Sequence, residues 1–149
     1  MPSDDLVPRP HLQRLENLYH AAPITRWYGA TIQIRPGEAE VRIPVRPEFF
    51  HAAGAVHGSV YFRALDDAAF FAVNSVVEEV LVLTVSFTTH FTRPVRDGEL
   101  RARGWVVHQA GRLFVAESEL RDGEGQLLAK ASGTFTRSSI ALDESLGYR

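Results

Sequence analysis

Two adjacent acids, Asp66 and Asp67, interrupt a run that is otherwise apolar nearly all round, GSVYFRALDDAAFFAVNSVV over residues 58–77. A carboxylate in apolar company must be paired, neutralised or used, because desolvation raises its pKa and makes it a stronger base once ionised. On a helix turning about 100° per residue, Asp66 shares its side with Ser59, Phe62, Ala69, Phe70 and Val73, whereas Asp67 falls with Arg63 and Asn74. That makes Asp66 the candidate base or nucleophile. The competing reading is a plain ion pair, since Arg63 stands three residues before Asp66 and four before Asp67 and reaches either.

A second group stands where loop should become helix, at His57-Gly58-Ser59. The free N–H groups and positive dipole end of a helix start can hold a developing oxyanion, and Gly58 lets a substrate approach the backbone. The same residues also suit a plain helix start. In the segment LVLTVSFTTHF, strict alternation puts Leu81, Leu83, Val85, Phe87 and Phe91 on one face and Thr84, Ser86, Thr88 and His90 on the other, a polar row able to orient water. The six histidines, His11, His20, His51, His57, His90 and His108, show neither HExxH nor another compact ligand spacing, so no metal site is expected. GxGxxG, Walker-type and GxSxG patterns are absent, which weakens dinucleotide, nucleoside-triphosphate and serine-hydrolase chemistry.

The elements that must position these residues follow from periodicity. Leu12, Leu15, Leu18 and Tyr19 predict a short amphipathic helix over about residues 11–22, ended at or near Pro23. Alternation from Tyr28 to Val45, broken at Pro36-Gly37, predicts a hairpin. PEFFHAAGAVHGS has neither period and reads as an ordered loop, followed by the central helix at about 58–77. Four strands then come in succession, separated at Val95-Arg96-Asp97-Gly98, Ala110-Gly111 and Asp122-Gly123. The plan is α+β, an antiparallel curved sheet wrapped around one long helix, in one domain spanning residues 1–149 with its core at about 28–137. Exposed edges of such a sheet call for a partner chain, so a homodimer is expected, with a dimer of dimers as the larger form.

Composition narrows the function. Sixteen Lys and Arg against eighteen Asp and Glu leave a net charge of −2, giving no basic field for nucleic acid. There is no cysteine, which removes disulfides, thiol nucleophiles and Cys-ligated zinc. The acidic, proline-bearing start MPSDDLVPRPHL lacks the pattern of an export signal, and no apolar run approaches the roughly 20 residues of a membrane span. A cytoplasmic protein with no membrane association is the expectation.

Residues 51–72, HAAGAVHGSVYFRALDDAAFFA, resemble the signature of hotdog-fold acyl-CoA thioesterases, above all the phenylacetyl-CoA thioesterase-like branch, in which N/Q-x-x-G-x-x-H-G-G precedes an acid in the helix. LTVSFTTHFTRPVRDGEL resembles that branch's next strand, and the resemblance covers about residues 28–137. It implies that Asp66, nine residues after the motif histidine, is the general base or nucleophile, and that the Gly58 N–H polarises the thioester carbonyl from the facing subunit. By the same resemblance His57 shapes the turn and Thr84 helps hold the attacking water. Two positions depart from the signature: Ser59 replaces the second glycine, and His51 stands where Asn or Gln is usual. A neutral imidazole there can still donate or accept one hydrogen bond, or serve as an acid to the leaving thiolate.

The implied reaction is hydrolysis of an acyl- or aryl-CoA. It needs no cofactor, because coenzyme A is part of the substrate. Arg93, Arg96, Arg112 and Arg137 are possible phosphate contacts, and Phe49, Phe50, Phe62, Phe70 and Phe71 are either acyl pocket or core. Rival readings are a non-catalytic acyl-CoA-binding module and a hydratase or dehydratase using His51 or His57 with Asp66.

Overall fold

Three residues at four-residue spacing, His11, Leu15 and Tyr19, form the buried stripe of the first helix, α1 (Arg9–Ala21), in a computed structural model that describes residues 8–149. Residues 1–7, on which most of the export-signal reading rests, lie outside the described residues. Pro23 does more than end α1. It opens a second helix not foreseen from periodicity, α2 (Pro23–Tyr28), at the position where a missing N–H costs nothing. Gly29 closes α2 in the left-handed conformation, φ 66°.

The hairpin expected from Tyr28 is therefore shorter, β1 (Thr31–Arg35) and β2 (Glu38–Pro44), joined through Pro36 and Gly37 at φ 71°. The loop after it is held by its own backbone: His51 N–H donates to Ala55 O at 2.9 Å, Val56 N–H to Val95 O at 3.0 Å and His57 N–H to Phe49 O at 2.8 Å. The central helix, α3 (Gly58–Asn74), ends three residues before the expected Val77. Ser75 caps it, and the side chain of the last helical residue, Asn74, ties down the segment that follows: its amide donates to the Val77 and Val80 carbonyls while its oxygen accepts from Val82 N–H.

β3 (Val80–Phe91), β4 (Glu99–Ala110), β5 (Leu113–Arg121) and β6 (Leu127–Ala141) complete one six-stranded antiparallel sheet in the order β1-β2-β4-β5-β6-β3. The four late strands are thus not a simple meander. β4, β5 and β6 follow one another, but β3 crosses to the far edge and pairs with β6. β6 also continues to Ala141, past the Arg137 boundary, and the tail beyond it docks on α1, where Tyr148 Oη and His11 Nδ1 lie 2.7 Å apart.

α3 packs against all six strands. It can lie this close because small residues meet: a Cβ at Gly104 of β4 would run into the backbone of Ala68 and Ala69. The buried rows of the sheet, such as Val41, Leu100, Ala102, Phe114, Ala116, Leu128 and Phe135, carry no charge, and a hydroxyl, that of Ser118, donates to the Leu65 carbonyl at 2.9 Å. α1 covers the β1 edge. Among the described residues nothing covers the β3 edge, where Leu83, Val85 and Phe91 are 44%, 58% and 56% exposed. This is a fold of the hotdog type, a curved antiparallel sheet around one long helix.

Candidate active site

Asp66 and Thr84 meet. Thr84 Oγ donates to one carboxylate oxygen of Asp66 at 2.9 Å, and the other oxygen has no hydrogen-bond partner among the described residues. Thr84 reaches inward because β3 does not alternate strictly. A bulge between Thr84 and Ser86 leaves Val85 out of register, so Val82 and Thr84 face α3 before it and Phe87 and Phe91 face α3 after it. The single apolar face predicted through Leu81, Leu83, Val85, Phe87 and Phe91 is accordingly split: Leu83 and Val85 point outward, while Phe87 packs edge-on against Phe62. Burial pushes the Asp66 pKa upward, against the lowering pull of the Thr84 hydrogen bond and the Arg63 charge.

Asp67 has the different fate that the wheel suggested. Arg63 Nε donates to one of its oxygens at 2.6 Å and Tyr19 Oη donates to the same oxygen at 2.7 Å. The guanidinium also reaches Thr25 Oγ at 3.3 Å and lies over the Tyr28 ring at 5.3 Å. Burial pushes Asp67 up to about 6 in spite of these partners. Tyr19 belongs to α1, a helix with no assigned role in the sequence reading, and no local signal connects it to position 67.

The second group assembles at the start of α3. His57 is the N-cap residue, its Nδ1 accepting from Ser59 N–H at 3.0 Å with Ser59 Oγ at 2.8 Å. With Nδ1 as acceptor, the imidazole caps the first turn of α3. Gly58 is the first helical residue, whose N–H has no acceptor within the helix. Phe91 closes over it: a Cβ on Gly58 would stand 3.0 Å from that ring. His51 stands beside His57, with ring centres 6.4 Å apart, and its Nδ1 accepts from Ala53 N–H at 3.0 Å, so Nε2 is its free nitrogen.

His51, Gly58, Tyr61, Phe91 and Arg93 line one open cleft of about 460 Å³. Tyr61 and Phe91 were not foreseen as cleft residues, since neither follows a pattern that distinguishes it from core. Arg93 also lines the adjoining groove with Arg96, whereas Arg137 pairs with Val82, nine residues along β3 from Phe91, and contacts Glu79. Of the phenylalanines, Phe49 and Phe71 are buried core, Phe50 and Phe70 are half-buried, and Phe62 is 42% exposed beside Phe87. Among the described residues no three His, Asp or Glu side chains gather as a metal site would require, and no helix is long and apolar enough to cross a membrane.

The two groups do not meet within one chain. Asp66 lies eight residues after Gly58 on the same helix, about 12 Å along its axis at 1.5 Å per residue. A carbonyl held at Gly58 is out of reach of its own chain's Asp66.

A model of the thioesterase superfamily matches residues 53–129. A protein of Saccharolobus solfataricus that carries a provisional esterase name is 30% identical over 104 residues, which make up 70% of this chain and 74% of that one. Among solved structures, the PaaI protein from the phenylacetic acid degradation operon of E. coli superposes with a TM-score of 0.82 at 22% identity, covering 91% of this chain and 98% of its own. A mutant form of the phenylacetic acid degradation protein PaaI from Thermus thermophilus superposes at 0.72 with 27% identity, covering 78% of this chain and 100% of its own.

Proposed function

The chain belongs to the thioesterase superfamily, and from that premise we propose that it hydrolyses the thioester of an acyl- or aryl-coenzyme A as a homodimer, or a dimer of dimers, with Asp66 as base or nucleophile. The observation that carries this reading is the state of Asp66: a desolvated carboxylate with one oxygen held by Thr84 and no cation bonded to it, beside the uncovered β3 edge.

In the proposed reaction the free oxygen of Asp66 activates a water or attacks the thioester carbonyl, while Thr84 fixes the carboxylate. The Gly58 N–H of the facing subunit, aided by the positive end of α3, receives the developing oxyanion. This assignment to the facing subunit rests on the 12 Å gap within one chain and on the family resemblance. His57 holds the turn, and the free Nε2 of His51 is placed to donate to the departing thiolate or to the substrate. Arg93 is the phosphate contact best placed by the cleft, next to Arg96 in the adjoining groove. No separate cofactor enters, since coenzyme A arrives with the substrate. The phenylacetic acid degradation relatives make aryl-acetyl-CoA the first acyl group to try.

The test is thiol release, trapped colorimetrically, from aryl- and medium-chain acyl-CoAs with wild type and Asp66→Asn matched for fold and oligomeric state. The reading expects turnover by wild type and a loss of roughly 10²–10⁴-fold in the variant. Binding of acyl-CoA without thiol release from any member of the panel would replace it with the binding-module reading.

A further inference from the structure

Asp67 is buried at 8% exposure, one residue from the proposed base, and the reaction just described makes no use of it. Its partner Arg63 is a different matter. At three residues before Asp66 and four before Asp67, this cation is within helical reach of both acids. The structure gives it wholly to Asp67, by the 2.6 Å bond from Nε. Four further contacts fix that choice: Tyr19 Oη donates to the oxygen of Asp67 that Arg63 binds, Thr25 Oγ accepts from the guanidinium, and the Tyr19 and Tyr28 rings lie 6.0 and 5.3 Å from its carbon. All of them come from α1 and α2, whereas Asp66 is turned to Thr84 on β3.

We infer that Asp67 is a positioning residue: by holding the Arg63 guanidinium against α1 and α2, it keeps that cation from pairing with Asp66 and leaves the Asp66 carboxylate free for substrate. The inference rests on the reading of Asp66 as base or nucleophile. Arg63 and Asp67 are the charges that act on Asp66. The sheet rows packed on α3 present hydroxyls and apolar groups, Thr84 and Phe87 from β3, Ser118 from β5, Phe135 from β6 and Gly104 from β4, and their one cation among the described residues, Arg137 beside Val82, lies over the Phe114 ring and contacts Glu79. α1 contributes Tyr19, whose hydroxyl is committed to Asp67. A carboxylate bound by a guanidinium is a poor base, because the neighbouring cation lowers its pKa by about 1–3 units. An adjacent acid that captures the cation removes that penalty, and it explains why a buried anion at position 67 accompanies the one at 66.

The experiment is the titration of Asp66 itself, followed by carboxyl ¹³C NMR of aspartate-labelled protein, beside the pH profile of kcat/KM. Asp67→Asn is close in shape and still accepts from Tyr19; Asp67→Ser, which admits water beside the guanidinium, stands in if that variant does not fold. With Asp67 neutral, Arg63 turns to Asp66: the Asp66 midpoint and the acid limb both fall by about one unit or more, kcat drops several-fold, and the Arg63 Nε–H resonance titrates together with Asp66. Adding Arg63→Met returns the midpoint and kcat toward wild type. A role confined to anchoring α1 and α2 would lower thermal stability and leave the Arg63 resonance indifferent to Asp66, with any fall of the Asp66 midpoint coming from the lost Asp67 charge alone and not reversed by Arg63→Met; that result overturns the inference. Asp66→Asn distinguishes the two failures: full activity in that variant overturns the assignment of the base and this inference with it, whereas an inactive Asp66→Asn together with an Arg63 resonance that ignores Asp66 in Asp67→Asn overturns this inference alone.

Discussion

Asp66 and Asp67 differ by one position and by nearly everything else that matters chemically. Asp66 keeps one oxygen unbonded and Asp67 shares one oxygen between Arg63 and Tyr19. Because burial holds the Asp66 pKa above its ordinary value of 3.8, and the ionised form is the one that acts, kcat/KM should fall as the pH drops through a midpoint above 3.8, while activity stays full on the alkaline side of that midpoint. A pH–rate profile checks the position of this limb, and Asp66→Asn should abolish it. Gly58 offers a cleaner deletion. As first residue of α3 after an extended His57 (φ −64°, ψ 143°), it sits where proline is tolerated, so Gly58→Pro removes the N–H without breaking the helix. We expect kcat to fall about 10²–10³-fold in Gly58→Pro and far less in Gly58→Ala, which retains the N–H and displaces only the Phe91 ring. At this scale much of the site was legible in the sequence, because a helical wheel separates the two acids and sets Arg63 beside Asp67. What secures that pairing was not, because Arg63 reaches either acid at three- or four-residue spacing and the added contact comes from Tyr19, 48 residues earlier in the chain.

The elements show why the site sits where it does. α3 lies directly on β4 because Gly104 has no side chain, so Gly104→Ala should push on the α3 backbone at Ala68 and cost about 2–3 kcal/mol, read as a lower unfolding midpoint in denaturant. The hairpin, the central helix and the four late strands were readable from their periods and turn residues. The place of β3 was not: strand order depends on which edges meet across the whole chain, and local alternation is silent about it. The bulge at Thr84–Ser86 was equally hidden, since one extra residue reverses the facing of the strand beyond it and leaves the composition unchanged. Without that bulge Thr84 and Phe91 would lie on opposite faces of β3. With it, the hydroxyl that holds Asp66 and the ring that closes over Gly58 both face α3.

At the scale of the molecule the two edges of the sheet are treated unequally. α1 covers β1, whereas the twelve residues of β3 form an edge left free by the described residues, with no Lys, Arg, Asp or Glu and three exposed apolar side chains. A long uncharged edge is a template for pairing with another chain, and the exposed Phe62 and the oxygen of Asp66 without a partner among the described residues belong to the same region. Asp66 and Gly58 lie about 12 Å apart along one helix, so the proposed site would take one from each chain. The most direct measurement mixes two inactive variants, Asp66→Asn and Gly58→Pro, denatures and refolds them together, and follows thiol release from acyl-CoA. A site shared between subunits predicts recovery to roughly a quarter of wild-type activity, because half of randomly paired dimers are mixed and each of those holds one intact site of two. Mixed dimers that form and stay inactive would contradict the account, since they would place Asp66 and Gly58 of the same chain in one site or remove one of them from the chemistry.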